Sequence, residues 1–335
     1  MQYKPCGQGG WAPVNYVLFK NRLYLCLRFL KLREGRMKNI KRRSFIKGTA
    51  AVTTMPAIGL TARAETAPAA TVLVVHGKDI PKMLEAGIAK FGGWGAFVKP
   101  GMKVAIKPNV AWNSKPEQGG NTHPDLVRTF VLAAEAGGAA KIDLPENTCH
   151  DEKATFPTSG VEAALKGTKA RLYRPAKTDY EEVEIPKGQI VKRAKIPRDI
   201  LKCDCLINMP VAKHHGGATL TISMKNWMGS VSNEDRRAWH RDGLHQCIAD
   251  INTFLKPKLI VIDATRIMLT KGPQGPGELA YPDELIFSTD TVAADAYAAT
   301  LFKKQPFDVP HIKIAHEMGI GCGDLSKVKV ERLEV

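Results

Sequence analysis

The fold is set by residues 103–144, KVAIKPNVAWNSKPEQGGNTHPDLVRTFVLAAEAGGAAKIDL. The apolar run Lys103–Ile106 predicts a buried strand, and Lys141–Leu144 predicts a second one. Between them, Thr122-His-Pro-Asp125 is expected to cap a helix that has its apolar residues on one face and ends at Gly137-Gly138. A strand, a helix and a strand in this order form a βαβ unit, in which the two strands run parallel.

The flanking sequence continues the same alternation of strands and helices. Thr71–His76, Leu259–Ile262 and Leu285–Phe287 are short apolar runs that read as further buried strands. We therefore predict an α/β fold with a mostly parallel sheet flanked by helices, in a single domain over residues 71–335. Residues 146–200 alternate like edge strands and are predicted to form a peripheral β-rich insertion.

The net charge of +16 is concentrated at the amino terminus. Residues 1–64 contain thirteen Lys or Arg and one acid, Glu34, so they carry +12 of that total. The remaining residues carry only +4, which is ordinary for a soluble domain. The sequence therefore predicts no nucleic-acid partner.

Residues 37–64 contain the three parts of an export signal. Lys41-Arg42-Arg43 is a basic twin-arginine segment, Gly48–Leu60 is a short apolar run, and Thr61-Ala-Arg-Ala64 is a small-residue cleavage pattern. The arginine pair resembles the twin-arginine (Tat) signal, so we expect the Tat translocase as a partner. A periplasmic or otherwise extracytoplasmic protein, cleaved near Ala64, is the prediction. The apolar run is shorter than the ~20 residues that span a bilayer, so no permanent transmembrane span is expected.

The segment before this signal is apolar and basic by turns. Met37 followed by Lys-Asn-Ile-Lys-Arg-Arg is an ordinary signal start. We therefore predict that residues 1–36 are a non-native extension, and that residues 65–70, rich in Ala, Pro and Thr, form a linker.

The densest group of polar residues lies in Leu206–Ser230, LINMPVAKHHGGATLTISMKNWMGS. The segment begins as an apolar strand, which is expected to end at Pro210 and to continue as a glycine-rich loop. Open α/β sheets bind their ligands at such strand ends. This segment is therefore predicted to form the central wall of a site.

Three lysines follow or flank apolar strands, each in a context of Pro, Asn or Gly rather than on a charged helix face. Several ammonium groups beside side-chain amides suit a small anion such as a carboxylate or a phosphate. Burial can also lower a lysine pKa enough for the amine to act as a base. The predicted set consists of Lys107, Lys213 and Lys225, with Asn109, Thr122, Asn226 and Gly229 as further ligand-binding residues.

Histidines and carboxylates complete the predicted site. His215 or His245 would transfer a proton, and Asp263, at the end of a buried strand, lies where α/β enzymes place catalytic carboxylates. A divalent metal bound by His215, His245 and Asp250 is an alternative that the sequence leaves open. The cofactor is otherwise unknown.

An ordered set of short motifs runs through the chain: Ile106-Lys-Pro-Asn109, Thr122-His-Pro124, Asn208-Met-Pro-Val-Ala-Lys213-His-His215, Lys225-Asn-Trp-Met-Gly229, Val261-Ile-Asp263 and Asp290-Thr-Val-Ala-Ala-Asp295. In this order they resemble the domain-of-unknown-function 362 family, over about residues 70–325. The resemblance implies an α/β fold and a site but no particular activity, and many members of the family are exported by the Tat route. Some relatives carry ferredoxin-type four-cysteine clusters. This chain has no C-x-x-C-x-x-C run, so an iron–sulfur cluster of that kind is not supported.

Two functions stay open from the sequence. The first is an exported enzyme of isomerase or oxidoreductase type that acts on a small anionic substrate, with Lys213, His215, Lys225, His245 and Asp263 as catalytic residues. The second is a non-catalytic protein that holds a metal or an anionic ligand for a partner.

Overall fold

The computed structural model of the chain describes residues 70–335. The predicted extension, the signal peptide and the linker up to residue 69 lie outside the described residues. No helix within residues 70–335 is long and apolar enough to cross a membrane. The five cysteines of this region, whose pairing the sequence left open, are all free thiols.

The described residues form thirteen strands and ten α-helices. The strands are β1 (Ala70–His76), β2 (Lys103–Pro108), β3 (Lys141–Pro145), β4 (Arg171–Tyr173), β5 (Tyr180–Glu184), β6 (Arg193–Pro197), β7 (Cys205–Met209), β8 (Val211–His215), β9 (Thr219–Thr221), β10 (Leu259–Met268), β11 (Leu279–Ala280), β12 (Glu284–Ser288) and β13 (Val328–Glu334). The helices are α1 (Ile80–Lys90), α2 (Pro124–Ala136), α3 (Glu152–Thr158), α4 (Val161–Ala164), α5 (Arg198–Leu201), α6 (Ser223–Asn226), α7 (Asn233–Asp242), α8 (Leu244–Phe254), α9 (Thr291–Thr300) and α10 (Pro310–Glu317).

The main sheet has the strand order β13-β1-β12-β10-β7-β2-β3-β4, with β8, β9 and β11 attached to it through β10 or through one another. The run β10-β7-β2-β3-β4 is parallel throughout, and β1 and β13 are also parallel to each other. Strand β12 runs antiparallel to its two neighbours, β1 and β10, and the short strands β9 and β11 pair antiparallel with β8 and β10. This mixed, mostly parallel sheet with flanking helices confirms the predicted α/β class.

Both faces of the sheet are buried, which explains why its strands are continuously apolar. Side chains alternate between faces along a strand. Accordingly, Val104 and Ile106 pack in one hydrophobic cluster, together with α1 and α2, whereas Ala105 packs in a second cluster, together with α8 and α9. The helices therefore form one layer on each side of the sheet.

Short polar side chains fix the starts of the helices, as the sequence suggests. Asp79 accepts a hydrogen bond from the backbone N–H of Lys82 at α1, and Asp290 accepts two such bonds at α9. At α2 the cap is His123 rather than Thr122, because the Nδ1 atom of His123 accepts from the backbone N–H of Asp125. Thr122 is thereby free to bond elsewhere.

The segment 146–200 is only partly β-structured. Strands β5 and β6 pair antiparallel in a separate two-stranded sheet. The rest of the segment contains helices α3, α4 and α5, and its strand β4 extends the main sheet at the edge beside β3.

The prediction of a loop after Pro210 is wrong, because the chain continues there as strand β8. The reason is β10, which runs six residues past its predicted end and offers a second partner strand. Asp263 lies opposite Val211, and Met268 lies opposite Lys213. Lys213 is therefore held inside the sheet with none of its surface exposed.

Candidate anion-binding cavity

A cavity of about 350 Å³ lies beside the carboxyl ends of β2, β3 and β7. These are neighbouring parallel strands, so this is the edge at which α/β sheets place ligands. Six of the predicted site residues lie in its wall: Asn109, Lys213, His215, Lys225, Asn226 and Gly229.

Lys107 forms a buried ion pair beneath this cavity instead of facing it. Its Nζ atom lies 2.8 Å from Glu146 Oε2, and both side chains are about 1% exposed. The same oxygen accepts from the backbone N–H of Val110 at 2.8 Å. Burial lowers the pKa of Lys107, and the attraction of Glu146 opposes that shift. Lys107, which was predicted to bind the ligand, is therefore half of a buried ion pair. Its partner, Glu146, lies in the cavity wall.

Gly229 lies where the backbone passes over this ion pair. A Cβ atom at position 229 would lie 2.2 Å from Glu146 Oε1 and 2.9 Å from Lys107 Nζ. Any larger residue at position 229 would therefore displace the pair. Glycine fits here because the backbone passes so close to Glu146 and Lys107.

A chain of side-chain amides connects the strand ends to one another. Lys213 Nζ donates to Asn109 Oδ1 at 3.2 Å and to the carbonyl oxygen of Gly120. Asn109 Nδ2 donates in turn to Asn226 Oδ1 at 3.2 Å, and Asn226 Nδ2 donates to Asn208 Oδ1 at 2.8 Å. Because every amide is bonded on both sides, the wall of the cavity is pre-organised.

Helix α6, which carries Lys225 and Asn226, is held in place from below by Asp295. The carboxylate of Asp295 accepts from the backbone N–H groups of Ser223 at 2.8 Å and Met224 at 3.0 Å. Burial raises the pKa of Asp295 to about 7, against the lowering effect of these hydrogen bonds. Asp295 therefore fixes the position of Lys225 although it does not itself line the cavity.

Two buried lysine amines line the cavity without a carboxylate partner among residues 70–335. Burial lowers the pKa of Lys213 to about 7, and repulsion from Lys225 acts in the same direction. Burial likewise lowers the pKa of Lys225 to about 8. Lys225 is 8% exposed, and within the described residues its amine makes no hydrogen bond or ion pair. This is a positive charge that the protein leaves uncompensated.

His215 presents one fixed hydrogen-bond donor. Its Nδ1 atom accepts from the backbone N–H groups of Gly217 and Ala218, each at 3.1 Å, so the proton of the neutral ring lies on Nε2. Burial, followed by repulsion from Lys225 and Lys213, lowers the pKa of His215 to about 2. The ring is therefore neutral near pH 7, with an Nε2–H group that can donate a hydrogen bond.

Thr122 and Asp263 were both predicted for the site, but their side chains bond to other parts of the protein. Thr122 Oγ1 donates to the carbonyl oxygen of Met209 and accepts from the backbone N–H of Asn109, each at 2.8 Å. Asp263 Oδ2 lies 2.6 Å from Arg266 Nη1 in a buried ion pair. Burial acts to raise the pKa of Asp263, yet Arg266 holds it below its usual value. Neither side chain lines the cavity.

The predicted metal set is not brought together. His245 Nδ1 lies 3.2 Å from His311 Nδ1, and their rings stack on each other. The carboxylate of Asp250 accepts from the backbone N–H groups of Ile190-Val191, at 2.7 and 2.8 Å, and so anchors a loop. Residues 70–335 contain no group of three or more His, Cys, Asp or Glu side chains arranged to hold a metal ion.

The sequence reasoning missed other residues of the wall, among them Trp112, Glu146, Cys149, Thr221, Arg236 and His240. Glu146 directly follows β3, so the rule that picked out Asn109 after β2 applies to it equally. Thr221 lies directly opposite Lys213 in the β8–β9 pair and therefore shares its face. Arg236 and His240 are one helical turn apart on α7.

A wider groove of about 960 Å³ lies nearby, between the β5–β6 pair and α7. The ion pair of 2.9 Å between Lys195 and Glu234 in this groove lies at the surface. The smaller cavity is the better candidate because two of its cations, Lys213 and Lys225, are buried and have no carboxylate partner among residues 70–335.

Comparison with known proteins assigns a family to this fold. The family model described as Domain of unknown function (DUF362) matches residues 104–300. The chain belongs to the DUF362 family. Every residue in the wall of the cavity, from Asn109 to Pro273, lies within the matched region.

Relatives of this DUF362 chain are distant. It is 23% identical over 242 residues to the thylakoid-associated protein sll1697 of Synechocystis sp., an alignment that covers 68% of this chain and 72% of that protein. Among solved structures it is similar to the lactate racemase apoprotein of Thermoanaerobacterium thermosaccharolyticum, with 9% identity and a TM-score of 0.44, over 65% of this chain and 54% of the racemase. A protein from Thermotoga maritima gives 10% identity and a TM-score of 0.44, over 67% of this chain and 59% of that one. The chain thus spans little more than half the length of these two solved structures.

Proposed function

We propose that this chain is an isomerase-type enzyme that binds a small anionic substrate in the cavity and moves a proton on it. The observation that carries the proposal is the pair Lys213 and Lys225. Both amines are buried in one cavity wall, with lowered pKa values and no carboxylate partner among the described residues.

The anion-binding part of the proposal rests on Lys225. A buried ammonium group without a counter-charge is unfavourable, and a bound carboxylate or phosphate would supply the missing charge. Arg236 offers a second cation in the same wall. The cavity has room for a ligand of about 350 Å³ or less. A small carboxylate or phosphate ester is the substrate class that fits.

The proton-transfer part rests on Lys213. With a pKa of about 7, a substantial fraction of its amine is neutral near neutral pH. The neutral amine has two N–H bonds, and the oxygens of Asn109 and Gly120 accept them. The lone pair then occupies the remaining tetrahedral position, so Lys213 is a directed base.

The neutral ring of His215 would assist this step as a donor. Its Nε2–H group can bond a carbonyl or hydroxyl oxygen of the substrate and stabilise negative charge that develops when a neighbouring C–H bond loses its proton. Lys225, with the higher pKa of about 8, stays protonated near pH 7 and holds the anionic group. Removal of a substrate proton by the neutral amine of Lys213 and its return to another position or face of the substrate is isomerase chemistry, and it needs no further reactant.

The test uses the full chain with a panel of small 2-substituted carboxylates in D₂O, followed by NMR. We expect hydrogen exchange at the carbon next to the carboxylate for the substrate. Lys213→Met should abolish that exchange while ligand-induced thermal stabilisation persists, whereas Lys225→Met should lose both. If an anion stabilises the wild-type protein against heat but no hydrogen exchange is seen, the enzyme proposal is wrong. The protein is then the alternative, a binding protein.

We also propose that the protein is exported by the Tat route and acts outside the cytoplasm. The support is the twin-arginine segment and the cleavage pattern in residues 37–64. Replacing Arg42 and Arg43 by Lys should leave an uncleaved precursor in the cytoplasm. Amino-terminal sequencing of that precursor decides whether translation begins at Met37. If the double replacement leaves export and cleavage unchanged, the proposal of Tat export is refuted.

A further inference from the structure

One thiol lies at the mouth of the cavity and has no part in the proposed reaction. Cys149 is exposed, lies in the cavity wall and follows β3 by four residues. Its backbone N–H donates to the carbonyl oxygen of Ala111 at 2.9 Å, which fixes the loop. Arg236 Nη1 donates to its Sγ atom at 3.5 Å.

The surroundings of this thiol are cationic. The charge of a Cys149 thiolate acts on Lys107, Lys213 and Lys225, raising the pKa of each against the larger effect of burial. Lys107 is already neutralised by Glu146, so Lys225 and Arg236, together with the protonated fraction of Lys213, supply the net positive field. Exposed thiols in such an electropositive setting are the reactive ones in proteins.

Two further groups indicate that the space next to Cys149 is built for a ligand. The residue Lys225 is more than nine-tenths buried, and its amine has no hydrogen-bond or ion-pair partner within residues 70–335. The hydroxyl of Thr221, in a side chain that is 3% exposed, also lacks a hydrogen-bond partner there. Both line the same cavity as the thiol.

We propose that Cys149 is a thiol-modification site for small anionic disulfides, which the cations of the cavity draw to its sulfur. In the exchange, the Cys149 thiolate attacks one sulfur of the disulfide, a new S–S bond forms, and the other half leaves as a thiolate. The anionic half that stays attached to Cys149 then occupies the cavity and blocks it. The proposal rests on the anion-binding role of the cavity but not on proton transfer.

Three other thiols are less accessible than Cys149, which is exposed: Cys203 is only partly exposed, and Cys205 and Cys247 are buried. Burial raises the pKa of Cys203 to about 12, and raises those of Cys205 and Cys247 to about 11. Modification should therefore be selective for Cys149 among these four.

The experiment compares the rates at which iodoacetate and iodoacetamide alkylate Cys149 in the full chain, read by peptide mass spectrometry. Both reagents form a thioether and release iodide, but only iodoacetate is an anion. We expect the ratio of the two rates to be on the order of tenfold higher than for N-acetylcysteine in the same buffer, and to fall at high salt. In Lys225→Met the ratio should fall by about threefold, whereas Lys225→Arg, which keeps the charge, should retain it.

Oxidised glutathione supplies the second measurement. It should form a mixed disulfide on the Cys149 peptide that dithiothreitol reverses, and Cys149→Ser should remove the adduct. An alkylation ratio equal to that of N-acetylcysteine, or one that is unchanged in Lys225→Met, overturns the proposal. Absence of the glutathione adduct overturns it as well. These readouts need no substrate, so loss of the proton-transfer proposal would leave them unaffected.

Discussion

Removing the amine of Lys225 should make the ligand-free protein more stable. The pKa of Lys225 falls from 10.5 to about 8 on burial, which corresponds to a destabilisation of about 3 kcal/mol when the group is charged. Lys225→Met keeps a side chain of similar length and removes the charge. We therefore expect the free energy of unfolding at pH 7 to rise by as much as about 3 kcal/mol.

The sign of the pH dependence follows from the direction of the shift. Below about pH 8 the amine is charged in both the folded and the unfolded chain, so the penalty is present in full. It declines as the pH rises from about 8 to 10.5 and disappears above that range, where the amine is neutral in both states. Urea unfolding of wild type and Lys225→Met should accordingly give stabilities that differ most at pH 7, differ much less at pH 10 and converge above pH 10.5.

A matched control is Lys99→Met, because Lys99 is exposed and its replacement should change stability by less than about 0.5 kcal/mol. If Lys225→Met is no more stable than wild type at pH 7, the amine is not an uncompensated buried charge. A gain that persists undiminished at pH 10 would equally refute the electrostatic explanation. Either result would remove the basis for anion binding at this position.

Three further replacements test the framework of the cavity, each by urea unfolding with a thermal melt as a check. Glu146→Gln leaves the buried Lys107 ammonium unpaired and should cost about 3–5 kcal/mol, much of which a second change, Lys107→Met, should restore. Gly229→Ala forces a Cβ atom against Glu146 and should cost about 2 kcal/mol, so a neutral result would contradict the close packing. Asp295→Ala removes the acceptor for the Ser223 backbone and should cost about 3 kcal/mol while also weakening anion binding; unchanged binding would show that the start of α6 is fixed by other contacts.

Much of the fold could be read from local sequence. The strand predicted at Thr71–His76 appears at Ala70–His76, and the helix predicted to end at Gly137-Gly138 ends at Ala136. Such elements follow from apolar periodicity and from caps, which act between residues close in the chain. The order of elements then implied a parallel sheet, and the parallel sheet implied a site at its carboxyl edge.

The identity of the site residues was less accessible, because burial of a charge depends on a partner distant in sequence. Lys107 looked like a ligand-binding residue until Glu146, 39 positions away, proved to neutralise it. Asp263 was predicted to be catalytic, but it forms an ion pair with Arg266. Asp250 was predicted to bind a metal, but it accepts hydrogen bonds from two backbone N–H groups. Sequence patterns show that a polar residue follows a strand, but not what it faces.

Residue type and order along the chain are therefore enough to predict the class of fold, the edge at which the cavity lies and the cationic character of its wall. Which lysines remain without a partner depends instead on contacts made in the folded chain. Strand β8 pairs with a β10 longer than its apolar core predicted, and this pairing carries Lys213 into the interior. Asp295, seventy positions beyond Lys225 in the chain, holds the helix that presents the second amine. Both effects arise from long-range contacts, whose energies become defined only when the chain is folded.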